Sequence, residues 1–514
     1  MRIPRALVWV SHGVSAAFLG FGVIFPLLST FGQPGHSGSF VSLLLDPMIL
    51  QVTRFTALQA FCSVLISAAI GLPLGLWVRG GRRLEALLAL PFGVPTLVVA
   101  VAWIGILGKR GLLANLGFQN EWGYSAKAVV LAHVFLNAPW IALRVSQARA
   151  EVSSRLLEAA GTLGANRWNR FSSVIWPEVR GPLLSAACQV FSLCAMSFTL
   201  VLILGGGPPV ETLETSIYSR IRYSGMDIRG ALACATWQSL LTVVPWWLVR
   251  LLDRAHPREQ MGQARVRSPW SVSWTLKLSV VAVFLIPYLY VVLSSVRRIS
   301  LLDASSWEEI GSAFSISLRL ALMVAIACLV FSAFGVLSSS RAGRAKPWFE
   351  SLWIFPGGLS TLVLSLSIWL TYEKWLDFFS GGLWIMALVQ TLIFLPVVFR
   401  ILSDTAAGVR VRLLEAASTL GASPIRAFGL IEWPRWRTSV LTALGVVFIA
   451  SLGEVAAVSL FANGSHEPLP FMMTRWMHQY RFNEAEMVGA FLVVSASLLM
   501  LSLTWIRTRE RWAR

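Results

Sequence analysis

Few side chains in this sequence stand where they could do chemistry, and the clearest of them come twice. Glu158-Ala159-Ala160 is followed by Gly164 and Trp176-Pro177, and the arrangement returns as Glu415-Ala416-Ala417, Gly421 and Trp433-Pro434. Small alanines let the backbone of another protein approach closely, so this pattern suits docking rather than bond-making. Glu454 lies in the apolar run VVFIASLGEVAAVSLF. A carboxylate facing lipid would cost a few kcal/mol, so it is expected to face the bundle interior or a cavity. There it would be a pathway site that favours a cation, or a helix-packing or gating group. His133 and Asn137 share a helix face at i, i+4. They could line a pathway, although a hydrogen-bonded pair tying helices together is the plainer reading. Arg54 and Arg319, at matching span starts, would snorkel to the interface. Cys62, Cys188, Cys194, Cys234 and Cys328 sit at irregular spacing inside apolar runs, as small buried hydrophobes and not as metal ligands or disulfides. No G-x-x-x-x-G-K-[ST] occurs, since Gly108-Lys109 is followed by Arg110. No catalytic residue, metal site or resident cofactor is expected.

The elements that position these residues follow from composition. Of 514 residues, 56% are hydrophobic and 13% charged, against roughly a quarter charged in soluble domains. A globule of this size cannot hide that much apolar surface, and the mean hydropathy of +0.68 agrees. A soluble enzyme is excluded, and so is a disordered chain, because 23 Trp and 29 Phe are present. The net charge of +18 could indicate nucleic-acid binding, but the basic residues lie in short clusters between long apolar runs. An integral membrane protein remains. A spanning helix needs roughly 20 mostly apolar residues. Such runs lie near 6–28, 53–78, 86–107, 127–147, 183–204, 230–250, 273–295, 315–338, 350–371, 382–402, 438–461 and 486–506. They are continuously apolar, as helices and not barrel strands require, so the fold expected is all-α with twelve spans. The first run is kept as an uncleaved span, for it is too long for a signal peptide core. Placing the N-terminus in the cytoplasm puts most of the 43 Lys and Arg on that side, so both termini are expected there.

Self-similarity divides the chain. LEAAGTLGA around Glu158 becomes LEAASTLGA around Glu415, an offset of 257 (158 to 415) that Pro139 and Pro396 share. Pro91 and Pro356, and Thr96-Leu97-Val98 and Thr361-Leu362-Val363, are offset by 265 (91 to 356). Six spans separate the copies, so the halves are parallel repeats. The expected domains are 1–252, a polar linker at 253–272 bracketed by Pro257 and Pro269, and 273–514. Each half holds a segment too polar to span, at 148–180 and 403–437. Leu156, Leu157, Ala160 and Leu163 form one helical stripe, with Leu413, Leu414, Ala417 and Leu420 as counterpart. A short amphipathic helix would stop near Gly164 and Gly421, where glycine tolerates a left-handed turn. Trp176-Pro177 and Trp433-Pro434 are expected to end the segment at the membrane interface.

The pattern E-A-A-x₃-G-x₉-[IV]-x-W-P resembles the EAA loop of binding-protein-dependent ABC-transporter permeases, with Trp where that family commonly has Leu. The resemblance covers both halves. It implies a type I importer permease fold with two six-helix repeats in a bacterial inner membrane. It also implies coupling helices that contact two copies of a separate ATP-binding subunit, through Glu158, Ala159, Ala160, Gly164, Glu415, Ala416, Ala417 and Gly421. ATP and Mg would be bound by that partner, and cargo would arrive on a periplasmic binding protein. Beyond lipid, no nucleic-acid partner is expected. Within fused permeases, GKRGLLANLG (108–117), LAHVFLNAPW (131–140) and SFTLVLILGGGP (197–208) are similar to the thiamine-transport branch. That likeness implies thiamine and its phosphate esters as cargo. Ferric-iron permeases share the architecture, and an ion-coupled secondary transporter is the rival from a different class. Such a rival should carry several polar residues within its spans, where this chain shows chiefly Glu454.

Overall fold

The computed structural model describes residues 5–31, 37–78, 88, 94–109, 111–117, 122–255, 274–298, 303–341, 343–375, 382–407, 416–462 and 466–512. These residues are almost wholly helical. In chain order the main helices are α1 (Arg5–Leu19), α2 (Pro47–Val78), α3 (Thr96–Leu107), α4 (Ala126–Glu151), α5 (Ser154–Thr162) and α6 (Trp176–Ala195). There follow α7 (Thr199–Leu204), α8 (Leu213–Arg222), α9 (Ile228–Ala255), α10 (Trp274–Arg298), α11 (Ala304–Arg341) and α12 (Thr361–Tyr372). The last are α13 (Gly382–Ala407), α14 (Trp433–Leu452), α15 (Ala456–Phe461), α16 (Leu469–His478) and α17 (Phe482–Trp512).

The duplication is visible element by element. α6 and α14 are both 20 residues long and both begin Trp-Pro. A five-residue π-turn precedes each, at Phe171–Ile175 and Phe428–Glu432. Proline has no N–H and its ring crowds the carbonyl four residues back, so the preceding turn widens. The helix therefore continues through Trp176-Pro177 and Trp433-Pro434 into the apolar 20-residue helices. Each 20-residue helix leads into a six-residue helix and then a ten-residue one. The ten-residue helices start alike. Leu213 N–H donates to Thr56 Oγ1 on α2 at 3.0 Å, and Leu469 N–H donates to Ser317 Oγ on α11 at 2.7 Å.

Among the described residues, seven helices are long and apolar enough to cross a membrane: Val10–Thr30, Pro47–Val78, Thr96–Asn115, Ala126–Glu151, Ala304–Ser340, Gly382–Ala407 and Phe482–Leu499. An eighth is formed if Lys346–Gly358 and Thr361–Tyr372 count as one span bent by 98°. Among the described residues four of the twelve runs are therefore interrupted, the one at 86–107 at Val94-Pro95 just before α3. The run at 183–204 stops at Ala195 and restarts at Thr199, and that at 438–461 stops at Leu452 and restarts at Ala456. That at 350–371 bends at Gly358–Ser360, just after Pro356. An apolar run records only that a segment avoids water. It does not record whether its backbone bonds are all made within one helix, and side chains make up the difference at these breaks.

Two compact units emerge, and they do not follow the sequence halves. One comprises 38–299. In it α2 lies along α4 at Gly71 and Gly75, where added Cβ atoms would strike Ala138, Ile141, Ala142 and Val145. Its core includes Ala60, Ile141, Val145, Val179, Ala186 and Val190. α10, at the start of the second sequence half, belongs to this unit: Tyr288 packs on Phe135 at 5.9 Å, and the Tyr290 ring fills the space over Gly105. The other unit comprises 1–37 and 300–514. Within it α1 lies on α11, with Ser15 and Ser338 hydroxyls 3.1 Å apart and Phe18 stacked on Phe331 at 3.8 Å. The recurring motifs mark the repeat, whereas the compact units mark which faces interlock. Hydroxyl pairs and ring stacks, not chain order, decide where a membrane helix packs.

Candidate coupling surface

α5 is a nine-residue helix with no buried residue. Its apolar stripe, which would face a core in a globular protein, is left largely open by the described residues. Leu163 is 87% exposed and Leu156 60%. Glu158 and Ala159 are exposed and Ala160 half-buried. In the second copy Ala416, Leu420 and Gly421 are exposed and Ala417 half-buried, with Leu420 at 88%. Glu415, Leu413 and Leu414 lie outside the described residues. A leucine this exposed, repeated at the matching position, marks a surface built to be covered.

The turn that presents these leucines is the same in both copies. Gly164 and Gly421 each have φ +78°, the left-handed region that glycine enters without cost. Leu163 N–H donates to Ala159 O at 3.1 Å and Ala165 N–H to Ala160 O at 2.9 Å. Leu420 N–H donates to Ala416 O at 3.1 Å and Ala422 N–H to Ala417 O at 2.9 Å. Both helices thus close in the same glycine-capped motif. The alanines of Glu-Ala-Ala supply the carbonyls that accept these bonds, a role their spacing alone does not reveal. Asn166 then caps the next turn, accepting from Asn169 N–H at 2.8 Å. Rings carry the packing onward, with Trp168 to Phe171 at 5.7 Å and Phe171 to Trp176 at 6.1 Å. Phe428 and Trp433, 6.2 Å apart, are the counterpart of the second contact.

The remaining candidates are dispersed. His133 and Asn137 are 2% and 5% exposed and sit inside one unit between α2, α4 and α6. His133 Nδ1 lies 3.3 Å from Ser63 Oγ. Asn137 Nδ2 donates to His133 O at 2.8 Å and meets Cys194 Sγ at 3.4 Å. The geometry is that of groups tying helices together. Glu454 Oε1 accepts from Ala456 and Ala457 N–H at 2.9 and 3.3 Å, so it starts α15 across the break after α14. Arg54 and Arg319 are exposed on α2 and α11. Sequence reading missed Gln59, Gln238 and Gln390, which are buried at the helix breaks and which carry no motif.

The described residues are almost wholly helical, and they present the same exposed, glycine-capped turn twice. The sequence matches the model for binding-protein-dependent transport system inner membrane components at residues 68–256 and 331–509, and the chain belongs to that family. It is therefore a multi-pass inner-membrane permease component, and not itself an enzyme. The chain is 27% identical over 531 residues to the thiamine transport system permease protein of Brucella abortus (strain 2308), covering 98% of this chain and 96% of that one. It is 26% identical to the protein of the same description from Escherichia coli (strain K12), with 97% and 96% covered. The Haemophilus influenzae counterpart is 29% identical over 489 residues, 88% of each chain. The sulfate transport system permease protein of Escherichia coli is 26% identical over 243 residues, 44% of this chain and 85% of its own.

Proposed function

We propose that this permease imports thiamine, with its phosphate esters as further cargo, driven by two copies of a separate ATP-binding subunit. The observation that carries the coupling part is the docking turn presented twice, with Leu163 and Leu420 both almost fully exposed beside a left-handed glycine. Glu158, Ala159, Ala160 and Gly164, with Glu415, Ala416, Ala417 and Gly421, form the ATPase contact. The cargo is supported by end-to-end similarity to thiamine permeases of three bacteria. A periplasmic binding protein delivers it, and the partner subunits hold ATP and Mg. Both termini lie in the cytoplasm and twelve helices cross the membrane in two parallel sets of six. α9 and α10, of 28 and 25 residues, and the interrupted helices α6–α7 and α14–α15 complete that count. Closure of the ATPases on ATP draws on the two docking turns and switches the pathway outward, and hydrolysis resets it. Glu454 and the His133–Asn137 pair act here as packing groups of the moving helices.

The test is uptake into vesicles that contain the chain, its ATPase and its binding protein. Labelled thiamine should accumulate with ATP and not without the ATPase. Accumulation of ferric iron instead would replace the cargo, and uptake that persists without the ATPase would favour an ion-coupled transporter. Changing Glu158, Gly164, Glu415 and Gly421 together should abolish uptake while membrane insertion is kept. Normal ATP-driven uptake in that variant would remove the coupling assignment.

A further inference from the structure

The two docking turns share a backbone but differ in what braces them. Arg170 Nε donates to Ala165 O at 2.9 Å. Its guanidinium lies flat against α5, since a Cβ added to Gly161 would fall 2.8 Å from Nη2 and 3.2 Å from Cζ. Ala165 is the residue whose N–H closes the helix onto Ala160 O. One planar cation therefore touches the last turn of α5, the left-handed turn after it, and its own segment, which runs through the π-turn into α6. At the offset of 257 (161 to 418), Gly161 becomes Ser418 and Arg170 becomes Ala427. A methyl group at 427 cannot reach either partner. An arginine brace of this kind cannot form at the second turn, although the glycine-capped backbone there is the same.

A load applied to a docking helix reaches the membrane only through contiguous contacts that do not yield. A rigid guanidinium fork loses little freedom on binding and resists shear where a flexible ammonium would swing. We infer that Arg170 is a positioning residue that locks the first docking helix to the segment entering α6, so that ATPase motion arriving at this turn is carried into the membrane helices. This rests on the coupling reading above and adds to it the side chain through which the first turn passes on its load.

The experiment uses the full transporter in liposomes, with uptake of labelled thiamine and hydrolysis of ATP measured on the same sample. Arg170→Ala should leave ATPase co-purification and hydrolysis in place and lower thiamine moved per ATP by roughly fivefold or more. Gly161→Ala keeps the arginine but pushes it off α5, so it should act in the same direction, even if Arg170→Ala assembles poorly. The double variant should be no worse than either single one, because both break one contact. Ala427→Gly, at the matching position where no arginine stands, should leave the ratio unchanged. An unchanged ratio in Arg170→Ala, additive losses in the double variant, or uptake falling only in step with ATPase co-purification would each overturn the inference. A wild-type assembly with no ATP-driven uptake would instead remove the coupling reading, and Arg170's role with it.

Discussion

Gln59, on α2, donates its side-chain amide to the main-chain carbonyl of Cys194, 2.9 Å away, where α6 runs out of helical partners. Gln238 on α9 does the same for Ala195 O at 3.0 Å. The last carbonyls of a helix have no bond within it, and in hydrocarbon no water replaces it. The corresponding break after α14 is served from its other end, by Glu454 accepting the first amides of α15. There Ser451 Oγ donates to Gln390 Oε1 on α13 at 2.5 Å. The repeat thus keeps the break while changing the group that satisfies it. Replacing Gln59 with Leu should leave the Cys194 carbonyl with the longer bond from Ser197 N–H, 3.4 Å away, at a cost of about 1 kcal/mol. A lowered thermal midpoint in detergent is the expected reading, and an unchanged midpoint would show that the amide is dispensable.

Gly164 and Gly421 offer a cleaner test, because nothing lies within 4 Å of a Cβ added at either. Space is not the constraint, and φ is. Alanine should therefore cost about 1–2 kcal/mol through the left-handed backbone alone, whereas asparagine, which visits that region, should cost less. ATPase retained in pull-downs should rank glycine above asparagine above alanine at both positions. Equal retention of alanine and asparagine variants would mean that the turn's handedness does not matter to docking.

These turns are legible in the sequence because everything that makes them is local. Glu-Ala-Ala, the glycine and the Trp-Pro pair lie within 20 residues of one another in each copy. The break after α6 is not legible. Met196-Ser197-Phe198 contains neither Pro nor Gly, and what stabilises the interruption is Gln59, distant in sequence. The pairing of α1 with α11 is equally hidden, since Ser15 and Ser338 are separated by 323 positions and carry no pattern. The stripe Leu156, Leu157, Ala160 and Leu163 is visible as a helix face. That the described residues leave it open emerges only from the exposure of Leu156 and Leu163.

The spacing Gly71-x₃-Gly75 is a small-residue seam of the kind that brings membrane helices together. A Cβ at Gly71 would sit 2.8 Å from both Ala138 O and Ile141 Cβ, so α2 and α4 would have to part. Gly71→Ala should destabilise by about 1–3 kcal/mol. Gly13→Ala on α1, where a Cβ meets nothing within 4 Å, should be neutral or stabilising, by up to about 1 kcal/mol, because glycine is the poorer helix former. Monodispersity and thermal midpoints in detergent should separate the two variants in sign. Destabilisation of the same size in both would mean that helix propensity, and not the seam, controls the result.

Asp303 sets the start of α11. The Ser306 hydroxyl, then the Ser305 hydroxyl, then the Ser306 N–H hold its carboxyl down from 3.8 to about 2. The Ser305 Oγ–Oδ2 distance is 2.7 Å and the Ser306 N–Oδ1 distance 3.1 Å. The same Ser306 accepts from Arg481 Nη2 at 2.7 Å, which links this cap to the turn before α17. A carboxylate whose folded pKa is depressed stabilises fully above its unfolded value, and that contribution fades as pH falls through the folded value. Asp303→Asn should therefore lower the midpoint at neutral pH. The gap from wild type should persist down to about pH 4 and close as the pH approaches 2. A gap that stays constant across that interval would mean that shape, and not charge, is what Asp303 contributes at the head of α11.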